Sequence, residues 1–227
     1  MEGLEYIESN FRALVSEIDA LAKGRRVTLV AVTKSGSDEE LLVLCKAGAV
    51  NIGENRPGEL RRRGDLLKDQ GFKPILHEIG NLQRNKVKLI ISDVALIHSL
   101  DSLSLAEEID KQAKKVGRVV PVLIEINSGR EEQKGGILPE DAEEFLLALK
   151  DFSSIEVTGL MTMGPVCEDP EEMRPYFRET KELFDRLNQK YGFREGILSM
   201  GMSDSYAVAI EEGSTLVRVG RRLFKRN

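Results

Sequence analysis

Lys34 ends the segment Val30-Ala31-Val32-Thr33-Lys34, directly after a nearly continuous apolar run from Val27 to Val32. An apolar strand of this kind can deliver an amine into a mouth partly screened from water. Desolvation lowers a lysine pKa from about 10.4 toward a nucleophilic range, and an unprotonated amine condenses with an aldehyde to give an imine. The plainer alternative is a rim lysine, in solvent or paired with an acid, because lysine is rarely truly buried. Near the other end of the chain, Met200-Gly201-Met202-Ser203 and Val217-Arg218-Val219-Gly220-Arg221 have the makings of a phosphate cup. Ser203 supplies a hydroxyl at an expected helix start, Gly201 and Gly220 permit close backbone approach, and arginine adds charge. Glycines that only make tight strand-to-helix turns would read the same way. An amine at one end and a phosphate cup at the other suit a phosphorylated aldehyde.

Other chemistries find less support. His77 and His98 form no HxH or HExxH pattern and belong to no Cys/His cluster, so no metal site is expected. Both read better as satisfied core or strand-end histidines. No GxSxG motif supports a serine triad. Cys45 and Cys167 are too few for a disulfide framework, which makes a reducing, cytoplasmic setting the default. The net charge of −5 and the absence of tryptophan argue against nucleic acid. The basic runs Arg61-Arg62-Arg63 and Lys225-Arg226 read as a solvated helix face and a solvated terminus. No stretch approaches the roughly 20 apolar residues of a membrane span, and the acidic N-terminus has no apolar core of a signal peptide.

These residues need a frame to bring them together, and the hydrophobic pattern supplies one. A helix is expected over 4–22, with Leu4, Ile7, Phe11, Leu14, Val15, Ile18 and Leu21 at helical spacing. After the first strand, Ser37 and Glu40 form a capping box and Gly48 closes the helix. Further strands are expected at Val50 to Gly53, Pro74 to Gly80, Leu96 to Leu100, Val119 to Asn127, Val157 to Met163, Ile197 to Met200 and Leu216 to Val219. Between them fall helical segments through Leu60 and Leu67, from Lys86 to Ile91, from Leu103 to Val116, from Pro139, through Phe177 to Leu187, and up to Ile210. Strands alternating with helices mean a parallel sheet, either an open doubly wound sheet or a closed barrel. Eight repeats in 227 residues favour a single-domain (β/α)8 TIM barrel with an extra N-terminal helix. In such a barrel the working residues lie at the C-terminal strand ends, where Lys34, Asn55, Met161, Met200, Ser203 and Arg218 fall.

At these positions the chain resembles the pyridoxal phosphate homeostasis proteins, the YggS/PROSC family. The matching stretches include Val30 to Lys34, Gly53-Glu54-Asn55, His77 to Lys86, Ile97-His98-Ser99-Leu100-Asp101 and Lys134-Gly135-Gly136. Gly159 to Met163, Leu198 to Ser203 and Ala209 to Gly220 complete them, in order, over nearly the whole chain. That family is similar to the barrel domain of alanine racemase, and the resemblance implies a fold type III barrel that holds pyridoxal 5′-phosphate. Lys34 would carry the imine. Ser203, Gly220 and Arg221 would cradle the phosphate, Arg218 would face the pyridine nitrogen, and Asn55, Met161 and Met200 would line the ring. Lys134 is a secondary candidate for cofactor contact or exit. An arginine beside the ring nitrogen disfavours its protonation and weakens the ring as an electron sink.

The resemblance further implies a carrier that keeps free aldehyde low, supplies apo-enzymes and so influences amino-acid and keto-acid balance. In the racemase a tyrosine from a separate C-terminal domain of the partner subunit works opposite the lysine. Here the barrel runs to Asn227, so that base is not expected, and neither is strong catalysis; a monomer is expected because no exposed apolar helix stands out. A weak racemase or another cofactor-dependent amino-acid enzyme is the alternative, and a cofactor-free aldolase-type barrel is a third. The chain departs from the family pattern at Gly36, Pro57-Gly58, Glu78, Ser205 and Lys225. Gly36 stands where many members carry a second lysine.

Overall fold

The computed structural model describes residues 3–226. The valine- and isoleucine-rich runs form short strands that pair in parallel, as runs buried on both faces do. They are β1 Thr28–Val32, β2 Asn51–Glu54, β3 Ile75–Glu78, β4 Leu96–Leu100, β5 Val120–Ile126, β6 Ile155–Thr162, β7 Ile197–Ser199 and β8 Leu216–Val219. Each pairs with the next, and β8 returns to β1 through Thr28↔Leu216 and Ala31↔Val219, closing the barrel. Of the two sheet arrangements that the alternation allowed, the chain forms the closed one.

The outer layer is built from α1 Glu5–Ala22, α2 Asp38–Lys46, α3 Pro57–Asp69, α4 Leu103–Lys115, α5 Ala142–Ala148, α6 Arg174–Tyr191 and α7 Tyr206–Glu211. The capping box at α2 forms as expected, with Ser37 N donating to Glu40 Oε2 at 2.7 Å and Glu40 N to Ser37 Oγ at 3.2 Å. The extra helix α1 buries Ile7, Leu14 and Ile18 against α2 and α7. It also holds the chain end, because Asn10 Nδ2 donates to the carbonyls of Leu223 at 3.2 Å and Lys225 at 2.9 Å.

Two expected helices differ. The segment near Lys86 is a 3-10 turn over Arg84–Leu89 rather than an α-helix. The helix expected from Pro139 starts at Ala142 instead. Ile137 N donates to Glu125 O at 2.8 Å and Ile137 O accepts from Asn127 N at 2.9 Å, so this stretch is tied to the end of β5 and cannot yet turn helical.

Strand alternation divides two environments. Outward residues such as Ile52, Leu76, Ile124, Leu198 and Val217 pack in the large core beneath the helices. Inward residues Val30, Leu96, Leu123, Met161 and Leu216 form a small separate cluster inside the barrel. Above that cluster the interior is polar.

Candidate functional site

At the C-terminal ends of the strands lies a cavity of about 520 Å³. Lys34 and Asn55 line one side, and Ser203, Arg218, Gly220 and Arg221 line another. Lys134 is on its wall as well. Seven of the nine residues singled out in the sequence therefore meet in one space.

Met161 and Met200 do not line it. Met161 points inward but belongs to the apolar cluster within the barrel, and Met200 points outward into the core beneath the helices. The cause is the two-residue period of the strand: Ser199, not Met200, faces inward from β7. Met163 and Met202, both more than a third exposed, line the cavity instead. Met163 shares the inward phase of Met161, so strict alternation along β6 reaches it, whereas Met202 lies beyond β7 in a turn where alternation gives no guide.

Lys34 sits two residues beyond β1, in a turn closed by Gly36 N donating to Thr33 O at 2.9 Å. Its side chain is exposed. The screening from water expected there is absent, because the strand ends before the lysine and the cavity mouth is wide. What is buried is the support beneath it. Arg63, read as part of a solvated basic face, is 8% exposed at its side chain and reaches under this turn. Its Nη2 donates to Gly36 O at 2.5 Å, its Nη1 to Glu54 Oε1 at 2.6 Å, and Nη1 also reaches Thr33 O. Thr33 Oγ1 donates to the same Glu54 carboxylate at 2.5 Å. Arg61 and Arg62 on the same helix are exposed, so a step of one residue around the helix separates solvent from core. At Gly36 an added Cβ would run into the Phe224 ring, which leaves no room for a larger side chain there.

The opposite wall is built by the turns after β7 and β8. Gly201 takes φ +94°, with the Ala209 methyl and the Tyr206 backbone closing over it, so the turn itself requires glycine there. Ser203 is buried and its Oγ accepts from Gly220 N at 3.3 Å. It does not start a helix as expected, since α7 begins at Tyr206 and Ser203 lies in the preceding turn. At Gly220 an added Cβ would approach Val32 O to 2.9 Å, so β8 comes close to β1 beside the cavity. Arg221 is exposed and paired with Asp204. Lys134 pairs with Glu131 and donates to Gly164 O at 3.2 Å, tying the loop after β5 to the loop after β6.

Arg218 is buried between these walls. Nη1 donates to Ser199 O at 3.0 Å and to Ser199 Oγ, and Nη2 donates to Thr162 O at 3.1 Å. All three acceptors are neutral. Burial pulls its pKa down to about 10, opposed through space by Glu125. Glu125 is itself pushed up to about 7, by burial first and then by Asp101. Three of the five N–H groups of the guanidinium are thus taken, and the others remain for a ligand in the cavity that Arg218 lines. His77 and His98 are buried and hydrogen-bonded, as satisfied core histidines. Among the described residues no His, Cys, Asp and Glu group could hold a metal ion.

This donor set fits a phosphorylated aldehyde whose ring carries an acceptor nitrogen. An amine stands at one wall, a hydroxyl and close-packed backbone at another, and a donor-only cation with free N–H groups in the floor.

Fold and site together define a parallel barrel with a lysine just beyond its first strand and a pair of glycine-containing turns after its last two, all opening on one cavity. The family description "Alanine racemase, N-terminal domain" matches residues 4–227, and the chain belongs to this family, within its branch of pyridoxal phosphate homeostasis proteins. A pyridoxal phosphate homeostasis protein of Aquifex aeolicus is 44% identical over 196 residues, covering 86% of this chain and 85% of that one. PipY of Synechococcus elongatus, solved with PLP bound, superposes with a TM-score of 0.84 at 29% identity, covering 96% of this chain and all of that one. Alanine racemase of Clostridium difficile shares the fold at a TM-score of 0.76 and 19% identity, over 96% of this chain and 60% of its own. No described helix is long and apolar enough to cross a membrane.

Proposed function

We propose that this protein holds pyridoxal 5′-phosphate as a Schiff base on Lys34 and takes part in intracellular homeostasis of that cofactor. The observation that carries the reading is the single cavity shared by Lys34, Ser203, Gly220 and Arg218. The PLP-bound state of PipY supports it from a relative with the same fold.

When bound, the cofactor supplies a reactive aldehyde and a ring able to accept electrons. The chain's own residues account for the rest. Lys34 presents its amine from a turn fixed by Arg63. Ser203 and the Gly220 backbone receive the phosphate, with Arg221 giving charge once released from Asp204. Asn55, Met163 and Met202 border the ring. Arg218 can only donate hydrogen bonds, so the ring nitrogen it would face stays an acceptor, which weakens the ring as an electron sink for carbanion chemistry. A carrier without strong catalysis follows, supplying cofactor to apo-enzymes. We read the chain as one domain, a cytoplasmic monomer.

The test adds pyridoxal 5′-phosphate to the purified protein and to Lys34→Ala and records visible absorbance. An imine band in the parent and none in the variant is expected. The same band in both would end the assignment. Amino-acid turnover by the loaded protein, lost in Lys34→Ala, would make it an enzyme rather than a carrier.

A further inference from the structure

The interior of the barrel holds a polar column that the function above leaves without a task. It runs from Asn51 on β2 through His77 on β3, His98 on β4 and Ser199 on β7 to Arg218 on β8. Asn51 Oδ1 is 3.1 Å from His77 Nε2, His77 Nδ1 is 3.0 Å from His98 Nε2, and His98 Nδ1 is 3.0 Å from Ser199 Oγ. Ser199 Oγ in turn meets Arg218 Nη1. The histidine rings lie edge to face, with centroids 5.3 Å apart.

The chemistry of the ends fixes the direction of every link. Arginine can only donate, so Ser199 Oγ accepts from it and gives its own hydrogen to His98 Nδ1. His98 must then carry its hydrogen on Nε2 and donate to His77 Nδ1. His77 likewise carries hydrogen on Nε2 and donates to the Asn51 carbonyl oxygen. A second proton on His77 Nδ1 would set two N–H groups against each other at the link to His98, and one on His98 Nδ1 would displace the hydrogen that Ser199 gives to it. Burial holds His77 down to about 4, and burial, His77 and Arg218 hold His98 well below its ordinary range. The column is neutral and runs one way.

We propose that Ser199, His98 and His77 are positioning residues that hold the Arg218 guanidinium in the cavity floor, and that its aim selects a ligand with an acceptor nitrogen there. A buried arginine is usually fixed by a carboxylate. Here only neutral acceptors bond it, and a carboxylate would draw its donors away from the cavity. The ordered column fixes the orientation while leaving the charge for the ligand. The identity of that ligand rests on the function proposed above; the column itself does not.

Two measurements test this separately. The first is long-range proton–nitrogen NMR of the histidine rings in the cofactor-free protein at neutral pH. The chain has two histidines, and both rings should be neutral with hydrogen on Nε2. A charged ring, or hydrogen on Nδ1 of either, would overturn the column whatever the protein binds. The second compares binding of pyridoxal 5′-phosphate with its deaza analogue, in which carbon replaces the ring nitrogen. The parent and Ser199→Thr should prefer the nitrogen-bearing ligand by about tenfold or more, the scale of one hydrogen bond to a charged group. Ser199→Ala should lose that preference yet bind the analogue as the parent does. Equal weakening toward both ligands would reduce the column to a structural role and overturn the proposal. If the parent binds neither ligand, the cofactor reading fails and the NMR result alone decides the column.

Discussion

At the Lys34 end of the cavity the side chain is in solvent and the backbone beneath it is clamped, whereas at the Arg218 end the side chain itself is locked in the barrel. The clamp at the first end is a buried ion pair, Arg63 with Glu54, whose remaining hydrogen bonds go to the carbonyls of the lysine turn. At the second end the charge belongs to the site, and neutral groups orient it. The difference suits the two tasks proposed for these residues. A group that must form and release a covalent bond needs freedom in its side chain and a fixed point of attachment. A group that only donates a hydrogen bond needs a fixed direction.

The comparison can be broken most directly at the clamp. Arg63→Met leaves Glu54 buried without its partner, and loss of one member of a buried pair costs about 3–5 kcal/mol. Denaturant unfolding should register that loss, while Lys34→Ala, an exposed change, should stay within about 0.5 kcal/mol of the parent. Comparable small effects at both would mean that the turn is held by something other than Arg63.

Behind the same end, Glu78 pairs in register with Glu54 and is fully buried. Burial, then the charge of Glu54, pushes its pKa from an ordinary 4.5 up to about 8, against the bond from Gly80 N. Between those two values the folded chain keeps a proton that the unfolded chain has released. Stability from this group should therefore fall as pH rises from 4.5 to about 8 and level off above it. Glu125 contributes a slope of the same sign, so the difference between the parent and Glu78→Gln isolates Glu78. The variant should be more stable by about 1–3 kcal/mol at pH above 8, the scale of the penalty for burying an unsatisfied polar group. Parallel pH curves for the two proteins would mean that Glu78 does not titrate in this window.

At the anion end, Ser203→Ala should weaken pyridoxal 5′-phosphate binding about tenfold, the value of one hydrogen bond to a charged group, and leave phosphate-free pyridoxal unaffected. Arg221→Ala should weaken it less, about two- to threefold, because an exposed charge is screened and already shared with Asp204. A larger loss at Arg221 than at Ser203 would invert the assignment of the phosphate cup.

The strand-helix alternation, the barrel and the grouping of Lys34 with Ser203, Gly220 and Arg218 were legible because each depends on local pattern and chain order. What escaped depends on facing direction and tertiary burial. Met200 was misplaced by one residue of strand phase, and Arg63 is indistinguishable in sequence from its exposed neighbours Arg61 and Arg62. The screening assigned to Lys34 failed because an apolar strand ends two residues short of it. The histidine column was invisible, since its members come from five strands and meet only inside the closed barrel.

The central claim is that one lysine takes the cofactor. Borohydride reduction of the protein after incubation with pyridoxal 5′-phosphate, followed by peptide mass mapping, tests it on a permanent adduct. A single adduct on Lys34 is the predicted result. Labelling spread over surface lysines, or concentrated on Lys134, would contradict it.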